Sequence, residues 1–213
     1  MGVVCGILVG GKSRRMGRPK AIIPIGGTTL LERTASIAGS VISDIVLLGR
    51  PSFDLPDALS ALAIIDDDPA GRGPIGGLAG FFKAKPGCDC LLLACDMPGL
   101  DAELLRRLIT TAVDDADGVV PRDHSDNSAI HPCCALYRSS AAPVVFDAIA
   151  QRRYAMCDLL DLLRIRWLSL EGPQEAAWVD NLNTPADLER HCVTTNGGSM
   201  TRPTHDRSAG ATR

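Results

Sequence analysis

No stretch of this sequence approaches the roughly eighteen uninterrupted apolar residues of a membrane span, and the apolar start, Val3 to Val9, is followed rather than preceded by basic residues. The expectation is a chain with neither a membrane helix nor a secretory leader. Excess charge is missing as well. A formal net charge of -3 and a pI near 5.8 leave no broad basic surface for nucleic acid. Histidine is scarce, and His124, His131, His191 and His205 are too scattered to build a metal cage. The eight cysteines contain no C-x-x-C pair, and Cys88, Cys90, Cys95, Cys133 and Cys134 sit inside apolar, strand-like runs. Reduced, buried thiols in a cytoplasmic protein are the simplest account.

With 213 residues, 46% of them hydrophobic and 22% charged, the chain can bury one sizeable core. Apolar runs of strand length recur at Val3 to Val9, Asp44 to Leu48, Leu62 to Ile65, Cys90 to Cys95, Asp117 to Val120, Cys133 to Tyr137 and Ile165 to Leu170. Several are unbroken rather than alternating, as expected of strands covered on both faces. Helical patterns lie between them, at Thr29 to Ala38, Pro74 to Lys83, Asp101 to Ala112, Ala141 to Gln151 and Pro185 to His191. Asp101 is placed to cap one helix and Thr184, before Pro185, another. Strand followed by helix, repeated, predicts a single-domain α/β fold with a mostly parallel sheet flanked by helices, spanning residues 1–193. Residues 194–213 lack apolar periodicity and are expected to form a disordered tail. In such a sheet ligands bind beyond the carboxyl ends of the strands, so the loops after Val9, Leu48, Ile65 and Cys95 are the places to expect a site.

Two short motifs tempt and fail. GILVGGKS, Gly6 to Ser13, satisfies the P-loop pattern G-x-x-x-x-G-K-[ST], but its intervening residues include the heart of the first strand. The loop would consume the strand it hangs from, and Gly17 and Pro19 interrupt any helix after it. GRGPIG, Gly71 to Gly76, fits the dinucleotide fingerprint but lies mid-chain, away from a first strand-turn-helix unit. A tight turn feeding a helix at Pro74 explains it as well as a ligand loop does.

The opening read with its flanks, LVGGKSRRMGRPKAIIPIGGTTLLERT, has another plan. Gly10 and Gly11 turn the chain, a long loop carries Lys12, Arg14, Arg15, Arg18 and Lys20, and a second glycine pair, Gly26 and Gly27, precedes a helix. Glycines let backbone amides approach a phosphate closely, and the cations suit its oxygens; a solvated charged loop is the bland alternative. This stretch resembles the signature L-x-G-G-x-S-x-R-M-G-x-x-K of nucleotidyltransferases that activate a phosphorylated acceptor with a nucleoside triphosphate. Leu8, Gly10, Gly11, Ser13, Arg15, Met16, Gly17 and Lys20 carry the match. DDDPAGRGPIGGLAG, Asp66 to Gly80, and LLLACDMPGL are similar to segments of the molybdenum cofactor guanylyltransferases, as is VDNLNTPADLER near the end.

The resemblance implies a Rossmann-like fold of the nucleotide-diphospho-sugar transferase type and a reaction of GTP with molybdopterin-phosphate, giving the guanine dinucleotide cofactor and pyrophosphate. It implies that Leu8, Val9, Gly10 and Gly11 hold GTP and that Lys20 contacts its phosphates. Arg15 joins Lys20 and Asp96 as the catalytic set, and Asp96 binds magnesium. Asp66, or Asp67 with a one-residue slip, contacts the nucleotide, while Asn181 and Asn183 lie on the acceptor side. Magnesium, a hard ion that keeps several waters, needs only one or two such carboxylates. On turn chemistry alone Asp96 could equally cap the turn at Pro98. His131 opens a strand facing the acceptor and touches the pterin phosphate or merely begins that strand. Neither nucleic acid nor membrane is implied as a partner, and contact with other proteins of the cofactor pathway would be transient.

One departure stands out. Where such relatives often carry an asparagine that touches the nucleotide, IVLLGR places Leu47 and Leu48, which cannot bond a base edge. A cytidylyltransferase for the same pterin is therefore the nearest rival, although GPIGG, Gly73 to Gly77, tilts the balance to guanine. A binding module that transfers nothing is the rival of another class.

Overall fold

The computed structural model describes residues 2–10, 19–111, 115–123, 129–184 and 186–187. In chain order the elements are β1 (Val3–Leu8), β2 (Pro24–Ile25), β3 (Thr28–Thr29), α1 (Leu30–Gly39), β4 (Ile45–Leu48), β5 (Ala63–Ile65), α2 (Pro74–Ala84) and β6 (Asp89–Ala94). There follow α3 (Ala102–Thr110), β7 (Gly118–Asp123), β8 (Cys134–Tyr137), α4 (Ala142–Ala150), α5 (Met156–Leu160), β9 (Ile165–Leu170) and α6 (Gly172–Ala176). The main sheet has the order β5-β4-β1-β6-β8-β7-β9. Every neighbouring pair is parallel except those of β8, which runs against both β6 and β7. The mostly parallel, Rossmann-like sheet read from the sequence is the observed one.

Both faces of the sheet are covered, which is why its strands read as unbroken apolar runs. Cys5, Ile7, Leu47, Leu91 and Leu93 pack on one side with Leu31 of α1 and Leu104 and Leu108 of α3. Val4, Val46, Leu48 and Leu92 pack on the other with Ile75, Leu78 and Phe81 of α2 and with residues of α4 and α5. The cover thins at the edge. In the edge strand β5, Ile64 is 45% exposed.

The helix starts have local causes. The Thr29 hydroxyl accepts from the Glu32 amide while the Glu32 carboxylate accepts from the Thr29 amide, a reciprocal cap at the head of α1. Asp101 Oδ1 accepts from the Glu103 amide at 2.7 Å and opens α3 as expected. Gly26 and Gly27, read as a simple glycine pair, form the turn of a β2–β3 hairpin. Both take positive φ, 58° and 90°, as a two-residue hairpin turn that follows the strand twist requires.

Register then assembles the site. Leu8 lies level with Leu48 on one side and Ala94 on the other, and Leu48 lies level with Ile65. The chain leaves all four strands at one edge, where the four loops gather.

Candidate active site

At the end of β1 the Val9 and Gly10 amides both turn to the Leu48 carbonyl, at 3.0 and 3.4 Å, so the chain bends out of the sheet at Gly10. Gly11, Arg15 and the remaining basic loop residues fall in 11–18, outside the described residues. Beyond them a 3₁₀ turn, Lys20–Ile22, is seated by the buried side chains of Ala21 and Ile23. That turn delivers Lys20. Its Nζ stands 2.9 Å from Asp96 Oδ2 and 2.9 Å from Asn183 Oδ1, with the Lys20 and Asp96 side chains only 18% and 21% exposed. Residues far apart in sequence, each expected to belong to the site, thus meet at one ammonium.

Asp96 follows the end of β6, after the buried Cys95. The Arg33 guanidinium donates to the Pro98 carbonyl at 2.9 Å, and the Leu182 amide donates to the Asp96 carbonyl at 2.8 Å. These bonds hold the turn from both sides, and the Asp96 side chain is turned to Lys20. Among the described residues no cluster of three or more His, Cys, Asp or Glu side chains could hold a metal ion. Burial pushes the neighbouring Cys95 and Cys133 thiols up to about 12, so both stay protonated and offer no soft thiolate. A lone carboxylate beside a cavity is a donor set that suits a hard, largely hydrated ion such as magnesium.

Two cavities open here. One of about 370 Å³ is lined by Leu8, Val9, Gly10, Lys20, Asp96 and Asn181 among others. A second of about 990 Å³ is walled by Leu48, Arg50, Asp66, Asp67 and Gly73. They share Leu8, Gly10 and Pro74, so they form neighbouring compartments of one cleft, of the size that small-molecule ligands occupy. Pro74 begins α2, so the positive end of that helix's dipole lies at the cleft and favours an anion there. GRGPIG is therefore both the turn into a helix and a wall of the cleft.

The two candidate aspartates part company. Asp66 is held by a bidentate bond from Arg50, at 2.7 and 3.0 Å, and that guanidinium keeps its carboxyl below the usual carboxylate range. The pair is exposed and of small energetic weight. Asp67 is half-buried over the glycine turn: a Cβ placed on Gly49 would stand 2.9 Å from Asp67 Oδ1, and one on Gly10 would stand 3.6 Å from Oδ2. Burial first, and the Asp66 charge second, raise its pKa. Leu47 and Leu48 are fully buried in β4; Leu48 still forms part of the cleft wall, and Arg50, two residues on, adds a polar group to it. Arg50 was missed in the sequence. Its only signal there was its place two residues beyond a strand end.

His131 does not line the cleft. Its amide donates to the Pro121 carbonyl and its carbonyl accepts from the Cys134 amide, so it sits in the turn that leads into β8. Burial lowers its pKa, partly offset by the charges of Asp123 and Asp180. Cys133 lies on the cleft wall and was not expected there.

A mostly parallel sheet that gathers an amine, a carboxylate and a nucleotide-sized cleft beyond its strand ends defines an α/β enzyme acting on a phosphorylated ligand. The chain belongs to the MobA-like NTP transferase domain family, whose model matches residues 5–163; it is a nucleotidyltransferase. It is 29% identical over 201 residues to the Bacillus subtilis protein named "Probable molybdenum cofactor guanylyltransferase", covering 92% of this chain and 96% of that one. A Mycobacterium ulcerans protein of the same name is 30% identical over 191 residues, covering 85% and 89%. Among solved structures, the molybdopterin-guanine dinucleotide biosynthesis protein A of Archaeoglobus fulgidus superposes with a TM-score of 0.70 at 26% identity, over 92% of this chain and 99% of that one. The 2-C-methyl-D-erythritol 4-phosphate cytidylyltransferase of Thermus thermophilus shares the fold alone, with a TM-score of 0.64 at 16% identity over 90% and 98%. Among the described residues no helix is long and apolar enough to cross a membrane.

Proposed function

We propose that this protein transfers GMP from GTP to the phosphate of molybdopterin, forming molybdopterin guanine dinucleotide and releasing pyrophosphate. An oxygen of the acceptor phosphate attacks the α-phosphorus of GTP, and the bond from that phosphorus to the oxygen bridging to the β-phosphate breaks. Charge builds on oxygens that are already anionic, so the protein's task is positioning and positive potential. Lys20 supplies that potential from a fixed place beside Asp96. The glycine turn at Gly10 leaves room for the nucleotide against the backbone, and Asp67, half-desolvated over that turn, is our choice for the nucleotide contact. Asp66 orders Arg50 instead. Asn181, on the wall of the smaller compartment, faces the acceptor. Asp96 would hold a magnesium ion, which when bound supplies charge to phosphate oxygens and orients them.

The observation that carries this reading is the meeting of Lys20, Asp96 and Asn183 at the end of the central strands. The test is incubation with molybdopterin and each labelled triphosphate in turn. GTP-dependent dinucleotide and pyrophosphate are expected; exclusive use of CTP would move the assignment to the cytidylyl enzyme. Tight GTP binding with no pyrophosphate released under any acceptor would leave a binding module.

A further inference from the structure

Asn183 belongs by sequence pattern to the acceptor side, yet its side chain is spent on the other substrate's lysine. Its Oδ1 accepts from Lys20 Nζ at 2.9 Å, the same distance at which that ammonium meets Asp96. The segment that carries it is built to stay in place. Leu182 is buried against Ile23 and Leu30, directly behind the turn that carries Lys20. The Leu182 amide bonds the Asp96 carbonyl, and the Asn183 and Thr184 amides both donate to Asp187 Oδ2, at 2.9 and 2.8 Å. One short segment therefore touches the lysine by a side chain, the lysine's turn by packing and the aspartate by a backbone bond.

We infer that Asn183 is a positioning residue for Lys20: it fixes the ammonium where the triphosphate will lie, and it acts on nucleotide affinity rather than on the acceptor. A lysine stem has many rotamers, and two acceptors from distant parts of the chain restrict its head before substrate arrives. Asn181, two residues earlier, lines the cleft. The two asparagines of the N-L-N pattern thus divide the work, one for each substrate.

The inference rests on the nucleotidyltransferase reading, and binding experiments separate the two. Equilibrium titration of the full chain with GTP and magnesium is compared for wild type, Asn183→Ala, Lys20→Gln and the double variant. Asn183→Ala should weaken GTP about tenfold, the scale of one hydrogen bond to a charged group. In the Lys20→Gln background it should add less than about twofold, because interacting residues are not additive. In turnover, the KM for molybdopterin should stay within about twofold while that for GTP rises. A raised acceptor KM with unchanged GTP binding, or full additivity with Lys20→Gln, overturns the positioning role. Failure of the wild type to bind any triphosphate overturns the enzymatic reading itself.

Discussion

Lys20 and Asp96 were singled out in the sequence by the resemblance of their segments to a family signature, and the structure brings the two side chains together at 2.9 Å; that pairing of residues was legible. Which of Asp66 and Asp67 to propose for the nucleotide contact was not. The preference for Asp67 rests on Arg50, sixteen residues before Asp66, reaching from beyond the end of β4 to bind the Asp66 carboxylate. Asp67→Asn is therefore expected to raise the KM for GTP about tenfold, whereas Asp66→Asn, which loses an exposed ion pair, should change it less than about threefold; steady-state kinetics on both variants checks the contrast. Asp96→Asn, which keeps an oxygen for the Lys20 ammonium and the backbone bonds that hold the turn, should abolish metal-dependent turnover while the protein still unfolds cooperatively. Near-normal turnover would remove Asp96 from the metal site.

At the scale of elements, the glycines of α2 have a packing role that no motif reveals. A Cβ on Gly80 would lie 2.1 Å from the Asp66 carbonyl oxygen, and one on Gly76 would lie 2.7 Å from that of Pro69, both of them backbone atoms that cannot rotate aside. The helix approaches the aspartate loop this closely only because those side chains are missing. Gly80→Ala should lower stability by roughly 1–3 kcal/mol and weaken GTP binding by displacing Asp67. Gly2→Ala, with nothing within 4 Å, is the neutral control in the same denaturant series. Another joint ties β7, α4 and β9. The nearly buried Asp117 carboxylate accepts from the Ser140 hydroxyl and from three Arg164 nitrogens, and these bonds, Arg164 foremost, hold its pKa at about 2. A carboxyl that is more acidic folded than unfolded stabilises fully above the unfolded value near 4, and that contribution fades as pH falls towards 2. Asp117→Asn should cost roughly 2 kcal/mol at neutral pH, with the gap to wild type closing between about pH 4 and pH 2 in urea titrations.

Over the whole molecule, the strands and the main helices were readable because covered parallel strands and capped helices leave periodic signals. The β2–β3 hairpin, α5 and α6 were not, being too short to show a period. The expected helix at Pro185 to His191 is described only at residues 186–187, and the expected tail lies outside the described residues. What the fold adds is convergence. A lysine near the start, an aspartate at mid-chain and an asparagine near the end come to one point, brought there by the end of β6, the packing of Leu182 on Ile23 and Leu30, and the bond from the Leu182 amide to the Asp96 carbonyl.

That convergence has a direct test, a crystal structure of the protein with GTP and a divalent ion. The account predicts the guanosine in the larger compartment beside Asp67, the α-phosphate within hydrogen-bond reach of Lys20, and the ion on Asp96. A nucleotide lodged away from the ends of β1 and β6, or an ion bound without Asp96, would contradict it.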